Sequence, residues 1–165
     1  MSLTTTKERQ MPNWCENDGT IQHKDVKKIK ALYNAIEEGK FCEHILPLPN
    51  GKWDYDWCVE NWDTKWELDF GDYELEDENT IRFSALSAWS PPDNIYRKLI
   101  SLGFEIDIDY FEGGMDFCGV VTNKKKRHID SVYEKYKNEE LPMWALKRWD
   151  FDELYDFEKD NVVEV

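Results

Sequence analysis

The chain reads as an α+β domain of the ferredoxin-like class: an antiparallel sheet of four or five strands with helices on one face, plus a C-terminal helical appendage. Three observations lead there. Apolar residues recur at helical spacing after Asp25 and again after Ser90, whereas Phe104, Ile106, Ile108 and Tyr110 alternate strictly with Glu105, Asp107 and Asp109. The elements run strand, helix, strand, strand, helix, strand, which is the split βαβ order, with one strand to spare. At 165 residues the chain suits one domain with a substantial core.

Residues 1–10 are polar and aperiodic, so a disordered extension is expected there, followed by the ferredoxin-like domain over 11–123 and a helical appendage over 124–165. Asn17 to His23 suits a first strand. Val26, Ile29, Leu32, Tyr33 and Ile36 form one helical stripe that Asp25 can start and Gly39 can end. The prolines in Ile45–Gly51 exclude a helix and a central strand alike, so 41–51 is expected as a connecting loop. Trp66 to Phe70 suits a second strand, the acidic run Asp72–Asn79 a turn, and Thr80–Trp89 a third strand paired with the second. Ser90, followed by two prolines and Asp93, carries helix-start signals, and Gly103 can close that helix. Phe104–Tyr110 and Met115–Thr122 then form a hairpin through Gly113-Gly114. The basic run Lys124–His128 is expected as a solvated corner before a third helix over Ile129–Tyr136.

Lys and Arg number 21 against 35 Asp and Glu, giving a formal charge of −14, which disfavours non-specific attraction to nucleic acid or an anionic membrane and favours a basic partner. Asp54–Glu78 alone holds 11 acidic residues and one lysine. No stretch of about 18 apolar residues occurs, and Cys15, Cys42, Cys58 and Cys118 contain no CxxC pair, so a cytoplasmic protein with reduced thiols is expected. Cys15, Cys42, His44 and Cys58 match no common zinc spacing. Asp107 and Asp109, with Glu105, share a strand face in the manner of two-metal carboxylate sites, but a solvated acidic face accounts for them better. No phosphate loop, nucleophile elbow or paired histidine is found, so no catalytic residue, metal or cofactor is assigned.

Five of the eight tryptophans, Trp14, Trp57, Trp62, Trp66 and Trp89, fall in short segments expected to meet in space. Two readings stay open: a second small core, or a partly open aromatic recess in which Asn13, Asn61, Lys65 and Ser90 add polar groups around Trp14, Trp62, Trp66 and Trp89 to grip a peptide, a base or a planar ligand.

The segments Met11-Pro12-Asn13-Trp14-Cys15-x-Asn17, Ile45-Leu46-Pro47-x-Pro49, Asn61-Trp62-Asp63-Thr64-Lys65-Trp66, Ala88-Trp89-Ser90-Pro91-Pro92 and Tyr110-Phe111-Glu112-Gly113-Gly114 resemble, in order, the plasmid YubB-like proteins and their phage-encoded relatives. The resemblance spans about Met11–Gly119 and implies a ferredoxin-like domain and an origin in a mobile genetic element; it implies no catalytic residues. That family usually has Gly where this chain has Asp63, so a local difference in the loop backbone is expected. The function expected from residues and resemblance together is a non-enzymatic protein-binding module acting on a basic host or element-encoded protein. The alternatives are an acidic DNA mimic that inhibits a host defence or DNA-binding protein, and small-ligand or nucleotide binding in the tryptophan-lined recess.

Overall fold

The computed structural model describes residues 13–155, so the expectation for 1–10 and the end of the appendage lie outside the described residues. Strands β1 (Trp14–Gln22), β2 (Asp69–Asp77), β3 (Thr80–Ala88), β4 (Glu105–Glu112), β5 (Phe117–Thr122) and β6 (Lys126–Asp130) form one sheet in the order β2-β3-β1-β4-β5-β6. Every neighbouring pair is antiparallel. The first four strands keep the expected split βαβ order, while β5 and β6 widen the sheet beyond β4. The strand count is therefore six rather than four or five.

Two of the differences from expectation share one cause, charge on strands with a solvent-facing side. The acidic run after Asp69 is not a turn but most of β2, whose Phe70 and Tyr73 pack on the core while its acids face water. The basic run before His128 is likewise a strand, β6, held by the register of Phe117 against Asp130 through Val121 against Lys126. A strand with one solvated face needs apolar residues only at alternate positions, so charge there does not exclude pairing.

Helices α1 (Val26–Glu37) and α4 (Asp93–Ser101) cover one face of the sheet. Asp25 accepts from the Lys27 amide at 3.0 Å and caps α1, which buries Ile29, Leu32, Ala35 and Ile36. Of these, Ile29, Leu32 and Ile36 meet Ile21, Ile81, Phe83, Ile106, Ile108 and the α4 residues Ile95, Tyr96 and Leu99 in the main core. The expected loop 41–51 contains a short helix, α2 (Phe41–Ile45), before its proline turn, and Trp57 and Trp62 lie on a further helix, α3 (Tyr55–Trp62), started by Asp54 accepting from the Trp57 amide. Ser90 does not cap α4; that helix starts after Pro92 with no side-chain cap, and the Ser90 hydroxyl donates to the Asp63 carbonyl at 3.1 Å.

On the opposite face, α5 (Val132–Lys137), α6 (Met143–Leu146) and α7 (Phe151–Leu154) cover only the β5–β6 end. Their Val132, Ala145 and Phe151 bury against Cys118 and Ile129, with Phe111, Trp144, Trp149 and Tyr155 packed around them. The helices are thus on both faces, and among the described residues none covers the remainder of the second face, which is called the uncovered face below.

Candidate functional site on the uncovered sheet face

Alternation along β1 sends Cys15, Asn17 and Ile21 into the core and Glu16, Asp18 and Thr20 to the uncovered face. Register places Asp107 and Asp109 of β4 on one side of them and Ser84 and Arg82 of β3 on the other, with Asp72 and Glu74 of β2 beyond. Three shallow recesses of about 300, 130 and 240 Å³ run along this face, and Asp18 lines all of them. The cations there are already engaged. Arg82 Nη2 lies 3.1 Å from Glu76 Oε1, and Arg148, reaching in after α6, donates to Asp107 Oδ1 at 2.6 Å and to Asp109 Oδ1 at 2.8 Å. Ser84 donates its hydroxyl to Asp18.

Partial burial dominates the protonation of two carboxyls on this face, Asp109 and Glu16. Burial pushes the Asp109 carboxyl up to about 6 although Arg148 pulls it down, and Asp107 adds to the rise. Glu16 is raised by burial first and by Asp18 second. Charges crowded this way gain from an added cation. The alternate-position carboxylates Asp107 and Asp109 are therefore gathered on an arginine, with Glu105 instead accepting from the Gln22 side-chain Nε2 at 2.8 Å. Asp18, Asp69, Asp72, Glu74 and Arg148 were not among the expected site residues. The usable signal was the acidic alternation around Tyr73, which resembles a turn only if strands are required to be apolar.

The expected aromatic group divides into two. Trp62 is buried, donates its indole N–H to the Leu46 carbonyl at 2.8 Å and takes Trp57 edge-on at 5.8 Å. Asn61 turns back to the Trp57 carbonyl at 2.9 Å on the same helix. The second group lies at the surface: Trp14 and Trp66 sit 6.0 Å apart, and the Lys65 ammonium lies 4.0 Å from the Trp66 ring centre and 4.4 Å from that of Trp89, which is 43% exposed. The Trp89 amide donates to the Asn13 carbonyl at 2.8 Å. A buried polar chain fixes the strand end beneath it: Tyr96 donates to Asn17, Asn17 to Ser87 at 2.9 Å, and Ser87 to the Ser90 carbonyl at 2.7 Å. Burial raises the Tyr96 hydroxyl well above its ordinary range, so it stays a donor.

Asp63 ends α3 at φ 62° and ψ 17°, the left-handed conformation in which glycine is the default residue. The expected backbone difference is therefore unnecessary, since aspartate is among the few side chains that tolerate this region. Its carboxylate accepts from the Asn94 amide at 2.9 Å and fastens α3 to the start of α4.

Fold and site together define a ferredoxin-like α+β domain with a widened sheet and an acidic uncovered face. The chain belongs to the family described as the ferredoxin-like domain in Api92-like protein, whose model matches residues 52–159. The match takes in β2–β6 and α3–α7, while β1, α1 and α2 precede it. No curated protein and no solved structure matches the chain. Among the described residues, no helix is long and apolar enough to cross a membrane.

Proposed function

We propose that the chain is a non-enzymatic protein-binding module of a phage, plasmid or prophage, acting in the cytoplasm, whose uncovered sheet face receives a lysine- and arginine-rich segment of another protein. The observation that carries this is the charge of that face: Glu16, Asp18, Asp69, Asp72, Glu74, Asp107 and Asp109 lie along it, and its two arginines are already paired. An extended basic segment would neutralise carboxylates that now crowd one another, whereas a nucleic-acid backbone or a nucleotide phosphate would be repelled. The mobile-element origin rests on the five ordered segments that resemble the plasmid and phage proteins.

Capture from a bacterial lysate by the wild-type chain and by the Asp18→Lys/Glu74→Lys variant tests the reading. The expected result is a basic protein held at about 50 mM salt, released by about 500 mM, and not held by the variant. A partner retained equally by the variant, or the absence of any basic partner at low salt, overturns it. Adding duplex DNA to the retained complex separates the DNA-mimic form: DNA that displaces the chain shows that the acidic face occupies a DNA-binding surface.

A further inference from the structure

Trp14 occupies the same side of β1 as Glu16 and Asp18, because alternate strand positions project together, and it pairs with Ala88 immediately before Trp89. Trp66 approaches from the segment that leads into β2. The surface tryptophans therefore stand at the end of the acidic face, next to Glu16 and Asp69. We propose that Trp66 and Trp89, with Trp14 packed behind Trp66, form an ammonium-binding site that the chain's own Lys65 fills in the free protein and vacates for a lysine side chain of the partner. This rests on the reading of the sheet face as a receiver of basic segments and adds one anchoring lysine to it.

Three observations argue for it. The first is the occupant: the Lys65 ammonium sits over two indole faces at 4.0 and 4.4 Å, and among the described ion pairs it takes part in none. Its cation is therefore held by ring faces, and such a contact at a partly exposed site is weak enough for an incoming cation to replace. The second is Trp89 itself. It carries φ 69°, unfavourable for a bulky residue, and is held there by the Asn13 carbonyl above the buried Ser87–Asn17–Tyr96 chain, while the residue stays 43% exposed. Ordinary core packing does not account for a strained backbone that presents an indole to water. The third is position: the acidic face supplies the long-range attraction and the ammonium site supplies the short-range fit, a division suited to a basic segment with one anchoring lysine. A planar base would meet the same rings but bring phosphate against Glu16 and Asp69.

The test uses the full chain and two small probes, Nα-acetyl-lysine methylamide and its trimethylated form, followed by the indole N–H resonances of Trp66 and Trp89. Lys65→Ala empties the site and is expected to bind either probe roughly fivefold more tightly than wild type, the weight of one partly exposed cation–π contact. Lys65→Arg keeps the site filled and should bind like wild type; Trp89→Ala should abolish binding in the Lys65→Ala background. If Lys65→Ala fails to fold, Lys65→Gln, which keeps most of the stem without the charge, carries the same expectation. Equal or weaker binding by the emptied site, or resonance changes away from these indoles, overturns the proposal. An arginine-only peptide separates the two levels: if it still binds wild type and fails with Asp18→Lys/Glu74→Lys while the lysine probes show nothing, the acidic face stands and the ammonium site falls.

Discussion

The hydroxyl of Tyr110 fills the space where a side chain on Gly119 would begin. A Cβ built on Gly119 would overlap that hydroxyl, the ring carbon bearing it and the Arg127 carbonyl oxygen across on β6. Tyr110 in turn bonds His128 Nδ1 at 2.7 Å, so the close approach ties β4 and β6 together over β5. Gly119→Ala is expected to cost about 1–3 kcal/mol, as overpacking does. Tyr110→Phe should not rescue it, because the ring carbon and the β6 backbone remain in the way. Urea denaturation of the single and double variants measures both; an unchanged midpoint for Gly119→Ala would show that β5 and β6 part freely.

Trp62 is expected to behave as core. It is 1% exposed, donates to Leu46 and packs against Trp57. Trp62→Ala should cost about 3–5 kcal/mol. Trp89→Ala, at the surface, should cost well under half of that. The two melting temperatures decide the matter, and similar losses would mean that the two aromatic groups are one.

The order of elements was legible because α1 and β4 carry full-length periodic signals: Ile29, Leu32 and Ile36 on one stripe, Ile106, Ile108 and Tyr110 on one strand face. β2 and β6 were not, since Asp72 and Glu74 or Lys126 and His128 occupy positions that need no apolar residue when one side of a strand is wet. The tryptophans were found as a group but not as two, because nothing local distinguishes Trp62, which ends a helix facing the core, from Trp66 four residues on. The acidic face required knowing that α5–α7 stop short of β1, a tertiary fact that no local pattern encodes.

Asp63 offers a separate check on backbone against side chain. Asp63→Gly suits φ 62° at least as well but removes the acceptor of the Asn94 amide, while the Asp63 carbonyl that receives Ser90 is kept. The two effects oppose, so the stability change should stay within about 1 kcal/mol. Asp63→Val, with neither the conformational tolerance nor the acceptor, should cost about 1–3 kcal/mol, the strain of a branched residue at positive φ. Chemical denaturation of the pair ranks them, and equal stabilities would remove the backbone argument.

Asp109 gives the protein a predictable response to acid. Its folded carboxyl titrates at about 6 against an ordinary value of 3.8, so the folded state holds that proton more tightly than the unfolded chain. The associated stability is fully present below the ordinary value and is lost as pH rises through about 6. Asp109→Asn should accordingly reduce the fall in melting temperature across that window relative to wild type, a difference that cancels the other titrating groups. Identical pH profiles would place Asp109 in water.

Arg148 opposes that shift, which makes it separable from burial. It donates to both Asp107 and Asp109 from the segment after α6, and these carboxylates strengthen its own hold on its proton, with the Asp107 hydrogen bond first. Removing it with Arg148→Ala leaves burial, Asp107 and Asp18 all raising Asp109, so the Asp109 carboxyl should titrate still higher than in wild type, read directly by carboxyl NMR. The stability loss should be small, about 0.2–1 kcal/mol, since the arginine side chain is a third exposed. Hydrogen exchange in α6 and α7 should nonetheless quicken, because Arg148 anchors that segment to the open face. Release of the segment would also leave more uncompensated carboxylate for a basic partner, so Arg148→Ala should bind an arginine-only peptide more tightly at low salt. An unmoved Asp109 titration would show that the guanidinium does not reach the sheet in solution.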